Sequence, residues 1–198
     1  MAEKLIGLSD NAKSKLITSG VLWQKKVSDS EEYIGRFFTP SLLSSDDLVY
    51  KQHKAAYTAW LEAKADRLLP CRKDLDPLKM PQALGDLILL KPEEKNGKQD
   101  FLFRLYGTNI ARRFGSDMTG RYVSDFQTEP PKAMAEQYIR LLTERLPLYG
   151  EHDAPPEISS MVRWCRLVLP FCEDAKNEDY TITRILVCNI PVDQPIDH

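Results

Sequence analysis

The chain predicts an α+β fold: a five-stranded antiparallel sheet with helices on one face, preceded by an amphipathic helix. Three observations carry this. Short apolar runs with a period of two come as a pair and then as a set of three, with a helical block between them. Connections within each set are of hairpin length or are built from turn-forming residues. A longer stretch with helical spacing precedes the first run.

Composition bounds the rest. With 198 residues, 42% of them hydrophobic, the chain can bury one core and still carry an extension. A net charge of -2 supplies no general basic field to grip a phosphate backbone, so no nucleic acid partner is expected. The opening "MAEKLIGLSDNAKSKL" is broken by charges and by Gly7 before a signal-peptide core could form. No stretch approaches the ~20 apolar residues of a membrane span, so none is expected. Cys71, Cys165, Cys172 and Cys188 form no CxxC pair and no metal-knuckle spacing; they read as reduced thiols in a cytoplasmic protein.

Residues 1–44 read as an extension. A weak amphipathic stretch from Leu5 to Ile17 stops at Ser19-Gly20, and Pro40 within "FFTPSLLSSDD" breaks any continuation. Residues 45–70 read as the amphipathic helix. Ser44 stands three before Asp47 as a cap, two acids fall in the first turn, and Val49, His53, Ala56, Tyr57, Trp60, Leu61 and Leu68 recur at helical spacing before Pro70. Residues 71–198 then form the sheet domain.

That domain opens with the proline-punctuated "CRKDLDPLKMPQALGD". "DLILLK" and "DFLFRLYG" follow as two strands closed by Asn96-Gly97, which tolerate the positive backbone angles of a tight hairpin. The period of two puts Phe101, Phe103 and Leu105 on one face of the second strand, with Arg104 and Tyr106 on the other. In "GTNIARRFGSDMTG", Thr108 reads as a helix N-cap, and Gly115 and Gly120 as cap and turn glycines. A second helix from Pro130 to Leu146 buries Met134, Tyr138, Leu141, Leu142 and Arg145. The last three strands are "LYGEHDA", "MVRWCRLVLPF" and "TITRILVCNIPV". In the middle one Cys165, Leu167, Leu169 and Phe171 share a face, and Trp164, Arg166 and Val168 share the other.

A twisted sheet bridged by short helices encloses volume that a ligand or side chains must fill. The candidate walls are Phe103, Leu105, Cys165, Leu167 and Leu169 from the strands, with Phe114, Met118 and Tyr138 from the helical side. Arg113, with Arg112, is the candidate for engaging an acidic ligand group.

In order and spacing, "YTAWLEAKADRLLPCRKDLDP", "FLFRLYGT", "FGSDMTGRYVSDF" and "RLVLPF" resemble a PAS domain, of the stand-alone PAS-like kind common in alphaproteobacteria. The resemblance spans Tyr57 to Val192. It implies a sensory or signalling module that binds a small molecule between sheet and helices and passes the signal to a protein partner. With no kinase, cyclase or DNA-binding segment after the last strand, the expected output is another protein or a homodimer. The resemblance also implies that the opposite sheet face, with Trp164 and Arg166, is covered by the preceding helix through Tyr57 and Trp60 or by a dimer partner. A ligand-free interaction scaffold, its interior filled by Phe and Met, is the competing expectation.

Other chemistries lack their residues. His53 and His152 have no haem-ligand motif around them, and "GTNIARRFG" lacks the cysteine of a flavin-thiol photosensor. The acids of "EEY", "DLDP" and "NEDY" stand without a Ser or His partner, so no enzyme activity is expected. Cys165 and Cys188, on neighbouring strands, are the cysteines placed for a thiol sensor, although small buried hydrophobes are their commoner use.

Overall fold

The structure of the protein, a computed structural model, describes residues 35–38, 48–126, 129–153, 163–174 and 180–192. Its sheet has six antiparallel strands: β1 (Gly35–Phe38), β2 (Leu87–Lys95), β3 (Lys98–Tyr106), β4 (Leu148–Asp153), β5 (Arg163–Cys172) and β6 (Ile182–Val192), in the order β1-β4-β5-β6-β2-β3. Five are the expected strands. β1, from the stretch read as an extension, adds to the free edge of β4 with Phe37 opposite Gly150. The weak helical stretch at Leu5–Ile17 and the cap at Ser44 lie outside the described residues.

Helix α1 (Lys51–Lys64) is shorter than its apolar periodicity predicts. Tyr50 takes the N-cap position in an extended conformation, with no acid in the first turn, and Lys54 N–H donates to the Tyr50 carbonyl at 3.0 Å. Leu48, just before the helix, is already fully buried. At the other end Ala65 turns to φ 47, closing on Leu61 O, and Val49, Leu61 and Leu68 are left exposed. His53, Ala56, Tyr57, Ala59 and Trp60 form the buried face. Trp60 Nε1 donates to Pro170 O at 2.8 Å, pinning α1 to β5.

The β2–β3 hairpin turns at Asn96 (φ 54) and Gly97 (φ 74), as the dipeptide predicts. Farther along, the register slips between Leu89 and Leu90: Leu89 faces Leu105, but Leu90 faces Phe103. Arg104 is thus the extra residue of a β-bulge, and the alternation of β3 inverts beyond it. Phe101 and Phe103 point inward, Leu105 is 41% exposed, and Tyr106 joins Phe103 inside. The expectation of Leu105 beside Phe103 and Tyr106 opposite fails for this one residue.

After β3, helix α2 (Thr108–Phe114) is capped by Gly107 rather than Thr108. Gly107 is required there because a Cβ would sit 2.3 Å from Gly85 O and 2.8 Å from Leu87 O. Gly115 (φ 87) ends the helix in the left-handed region. The chain then turns at Gly120 and runs back along β3, with Gly120 N–H donating to Phe103 O at 2.8 Å and Phe103 N–H to Arg121 O at 2.9 Å. The segment from Gly120 to Tyr122 therefore covers the outer edge of β3. Buried Asp100 fixes the following turn by accepting from the backbone N–H and hydroxyl of Ser124. Helix α3 (Glu129–Glu144) completes this layer; it ends before Arg145, which takes φ 59, and the side chain of Met134 lies outside the described residues.

A buried guanidinium between sheet and helices as the candidate functional site

Register fixes what faces what. Through successive cross-strand partners, Phe103 aligns with Leu90, Ile185 and Pro170, while Tyr106 aligns with Ile88, Val187, Val168 and Leu148. These residues share the face that α2 and α3 cover. Arg166, two residues from Val168 and directly opposite Asn189, lies on the same face, and its guanidinium meets the Tyr138 ring of α3. Cys165, Leu167 and Leu169 lie on the opposite face: Leu167 pairs with Tyr149 and Cys188, and Tyr149 meets His53 of α1 edge-on at 5.5 Å.

The expected faces of β5 are therefore exchanged. Cys165, Leu167 and Leu169 belong to the packing under α1, whereas Trp164 and Arg166 face the α3 side. A residue-by-residue reading finds the alternation within β5 correctly but has no common frame for separate strands, and a shift of one residue inverts a whole face. Tyr57 and Trp60 do cover the α1 side, and both are buried within the chain itself.

On the α3 side the aromatic side chains form two groups that make up an inner wall. Phe101 meets Tyr138 at 5.1 Å between ring centres, Phe103 meets Tyr106 at 5.4 Å and Phe126 at 5.8 Å, and Phe114 bridges Phe126 and Tyr106. Met118 is buried, with its sulfur 3.6 Å from the Ser116 hydroxyl. Phe103, Met118 and Tyr138 are buried in the inner layer, and Phe114 is partly buried against it. Arg113 lies outside it: it lines a groove of about 510 Å³ at one end of the sheet with Gln52, Asp86, Asn109, Arg112, Ile190 and Pro191. There Asn109 donates to Asp86 at 2.9 Å.

Beside Tyr138 lies a cationic group that has no anionic partner among the described residues. Arg166 is 1% exposed. Its Nη2 donates to the Tyr138 hydroxyl and the guanidinium carbon stands 5.3 Å from the centre of that ring, but Nε and Nη1 have no hydrogen-bond partner. Three N–H donors, one on Nε and two on Nη1, are therefore unpaired. The Asn189 Oδ1 opposite it and the Oε1 of Gln137, next to Tyr138, are also buried and unpartnered. Burial pushes the Tyr106 hydroxyl well above the usual tyrosine range while the charge of Arg166 pulls it down, so Tyr106 stays a neutral hydroxyl within reach of that field.

A buried guanidinium costs several kcal/mol unless an anion and hydrogen bonds compensate it. The arrangement of unpaired Arg166 N–H donors, tyrosine hydroxyls and aromatic faces suits recognition of a small organic anion, while the two amide oxygens can only accept. Among the described residues no cluster of three or more His, Cys, Asp or Glu could hold a metal ion.

His53 does different work. Fully buried under α1, it donates from Nε2 to Cys188 O at 3.1 Å, and burial lowers its pKa from 6.5 to about 4, outweighing the Cys188 and Cys165 carbonyls that favour its protonation. The side chain of His152 lies outside the described residues. Sequence reasoning missed Gln137 and Asn189 altogether and gave Arg166 to the wrong face. The available signal was a charged or amide side chain inside an uninterrupted apolar strand, "MVRWCRLVLPF" and "ILVCNIPV", where such residues are rarely buried without a partner.

The family model described as PAS domain matches residues 50–186. No curated protein and no solved structure matches the chain. Among the described residues no helix is long and apolar enough to cross a membrane.

Proposed function

The chain belongs to the PAS domain family, sensory and signalling modules in general, and on that premise we propose that it binds a small organic anion between its sheet and α3 and relays occupancy to a protein partner through α1. The observation that carries this reading is Arg166: fully buried, in contact with a tyrosine hydroxyl and ring, and with Nε and Nη1 unpaired. A carboxylate or phosphate group supplies the missing charge, and the aromatic wall of Phe101, Tyr106 and Tyr138 receives the apolar part of the ligand.

The route to α1 is short. Asn189, on the ligand side, is followed back along the chain by Cys188, whose carbonyl accepts from His53 of α1. Arg166 is likewise preceded by Cys165, whose carbonyl also acts on His53. A shift of β5 or β6 on ligand binding displaces the anchor of α1, and the size of the response is bounded by the ligand's difference in affinity for the two helix positions.

The test is a thermal-shift and native mass spectrometry screen of small carboxylates and phosphates against the full chain and Arg166→Met. A binder at 100 times its Kd stabilises the wild type by about 2.7 kcal/mol. Arg166→Met should lose that shift while keeping its fold, and amide exchange in α1 should change only in the wild type. A ligand that shifts both proteins equally refutes the Arg166 site. A ligand bound without any change in α1 refutes the relay and leaves the binding reading standing.

A further inference from the structure

We infer that Cys71 and Cys172 form a thiol–disulfide site, oxidised by a hydroperoxide, that locks the strap after α1 to the end of β5. The expected pair, Cys165 and Cys188, is not the one brought together: Cys165 lies opposite Ile190, and its sulfur contacts the Tyr149 hydroxyl at 3.4 Å. Cys71 and Cys172 instead face each other across an isolated parallel bridge, with their sulfurs 3.6 Å apart. Cys172 N–H donates to Pro70 O at 3.0 Å, so the two backbones are already held at strand spacing. Rotation of the side chains closes the remaining gap to the S–S bond length of about 2.05 Å.

The surroundings differentiate the two sulfurs. Arg67 Nη1 lies 3.1 Å from Cys71 Sγ, and its Nη2 is held 2.7 Å from Asp74 Oδ2, which also accepts the Cys71 N–H at 2.9 Å. The guanidinium is thus fixed beside the Cys71 sulfur. Burial, with the Cys71 sulfur beside it, pushes the Cys172 thiol up to about 12. Both sulfurs are buried, yet the next residues along the chain, Arg72 and Glu173, form an exposed ion pair, and Arg67 is itself partly exposed. Movement of Arg67 opens a path for a small oxidant.

The chemistry balances in two steps. The Cys71 thiolate attacks the terminal oxygen of the hydroperoxide; the O–O bond breaks, the alcohol (water, for hydrogen peroxide) leaves with one proton, and Cys71 carries a sulfenic acid. Cys172 then gives up its proton and its sulfur attacks Cys71 Sγ, so that the S–S bond forms, the S–O bond breaks and water leaves. Two electrons from the two sulfurs reduce one peroxide. A low-molecular-weight dithiol reverses the reaction by exchange. The product ties the segment leaving α1 to the sheet, closing a loop of 101 residues.

The experiment uses the full chain titrated with hydrogen peroxide, alkylated and mapped without reduction. The expected result is a loss of about 2 Da, a peptide cross-linking Cys71 to Cys172, reversal by dithiothreitol, and a thermal midpoint raised by several degrees. Arg67→Gln should slow the reaction about tenfold with the same product. Cys172→Ala, a small apolar substitute at the buried position, should trap Cys71 as its sulfenic acid without an intramolecular cross-link. Arg166→Met should oxidise like the wild type, which separates this site from the proposed ligand site. A cross-link through Cys165 or Cys188, a disulfide between two chains, or a folded wild type whose thiols all survive peroxide overturns the inference.

Discussion

His53 should make the fold acid-sensitive within a defined window, and the size of the effect follows from its burial. Its folded pKa is about 4 against 6.5 when free. Because the folded value is the lower one, the unfolded chain takes up the proton first. Stability contributed by the neutral imidazole is complete above pH 6.5 and is lost as the pH falls toward 4. At 1.36 kcal/mol per unit, the loss is about 3 kcal/mol, roughly a hundredfold in the folding constant. The ring has little room to escape this. Tyr50 and Tyr149 stand edge-on at 5.5 Å to it. The assay is urea unfolding of the wild type and His53→Gln from pH 7.5 to 4. Glutamine keeps a donor for Cys188 O but does not titrate, so subtracting one profile from the other removes the carboxylates that titrate in the same range. The difference should shift against the wild type by about 3 kcal/mol across the window. A difference that stays level within 1 kcal/mol, or an imidazole found by NMR to titrate near 6.5, refutes the reasoning.

Three further outcomes follow from the packing. Gly107→Ala places a methyl group against two backbone oxygens that cannot rotate away, and should cost about 3 kcal/mol or more, read as a lower urea midpoint at unchanged slope. The bulge at Arg104 predicts opposite fates for neighbouring positions: Phe103→Ala should cost about 3–5 kcal/mol in thermal unfolding, Leu105→Gln no more than about 0.5. Trp60→Phe leaves the buried Pro170 carbonyl without its donor and should cost about 1–3 kcal/mol, with faster amide exchange in α1.

Much of this molecule is local. Period-two runs placed five strands, Asn96-Gly97 placed the hairpin, and Gly115 and Gly120 marked two corners, because each depends on a few consecutive residues. The limits of α1 were not local. The sequence signals promise a helix from residue 45, but Leu48 is buried outside it and the helix begins at Lys51. The bulge was invisible too, since one extra residue in β3 leaves no mark on the sequence yet turns Leu105 out and Tyr106 in.

The sequence by itself determined the order of elements, the alternation within β5 and the family resemblance of residues 57–192. Only the tertiary structure decided which face of β5 meets which face of β3, and with it every property of the candidate site. Alternation within a strand comes from the pleat of one backbone, but the alignment of strands depends on hydrogen bonds between residues far apart in the chain. That alignment put Arg166 beside Tyr138 and Asn189, moved Cys165 under α1, and brought Cys71 to Cys172 across 101 positions of sequence.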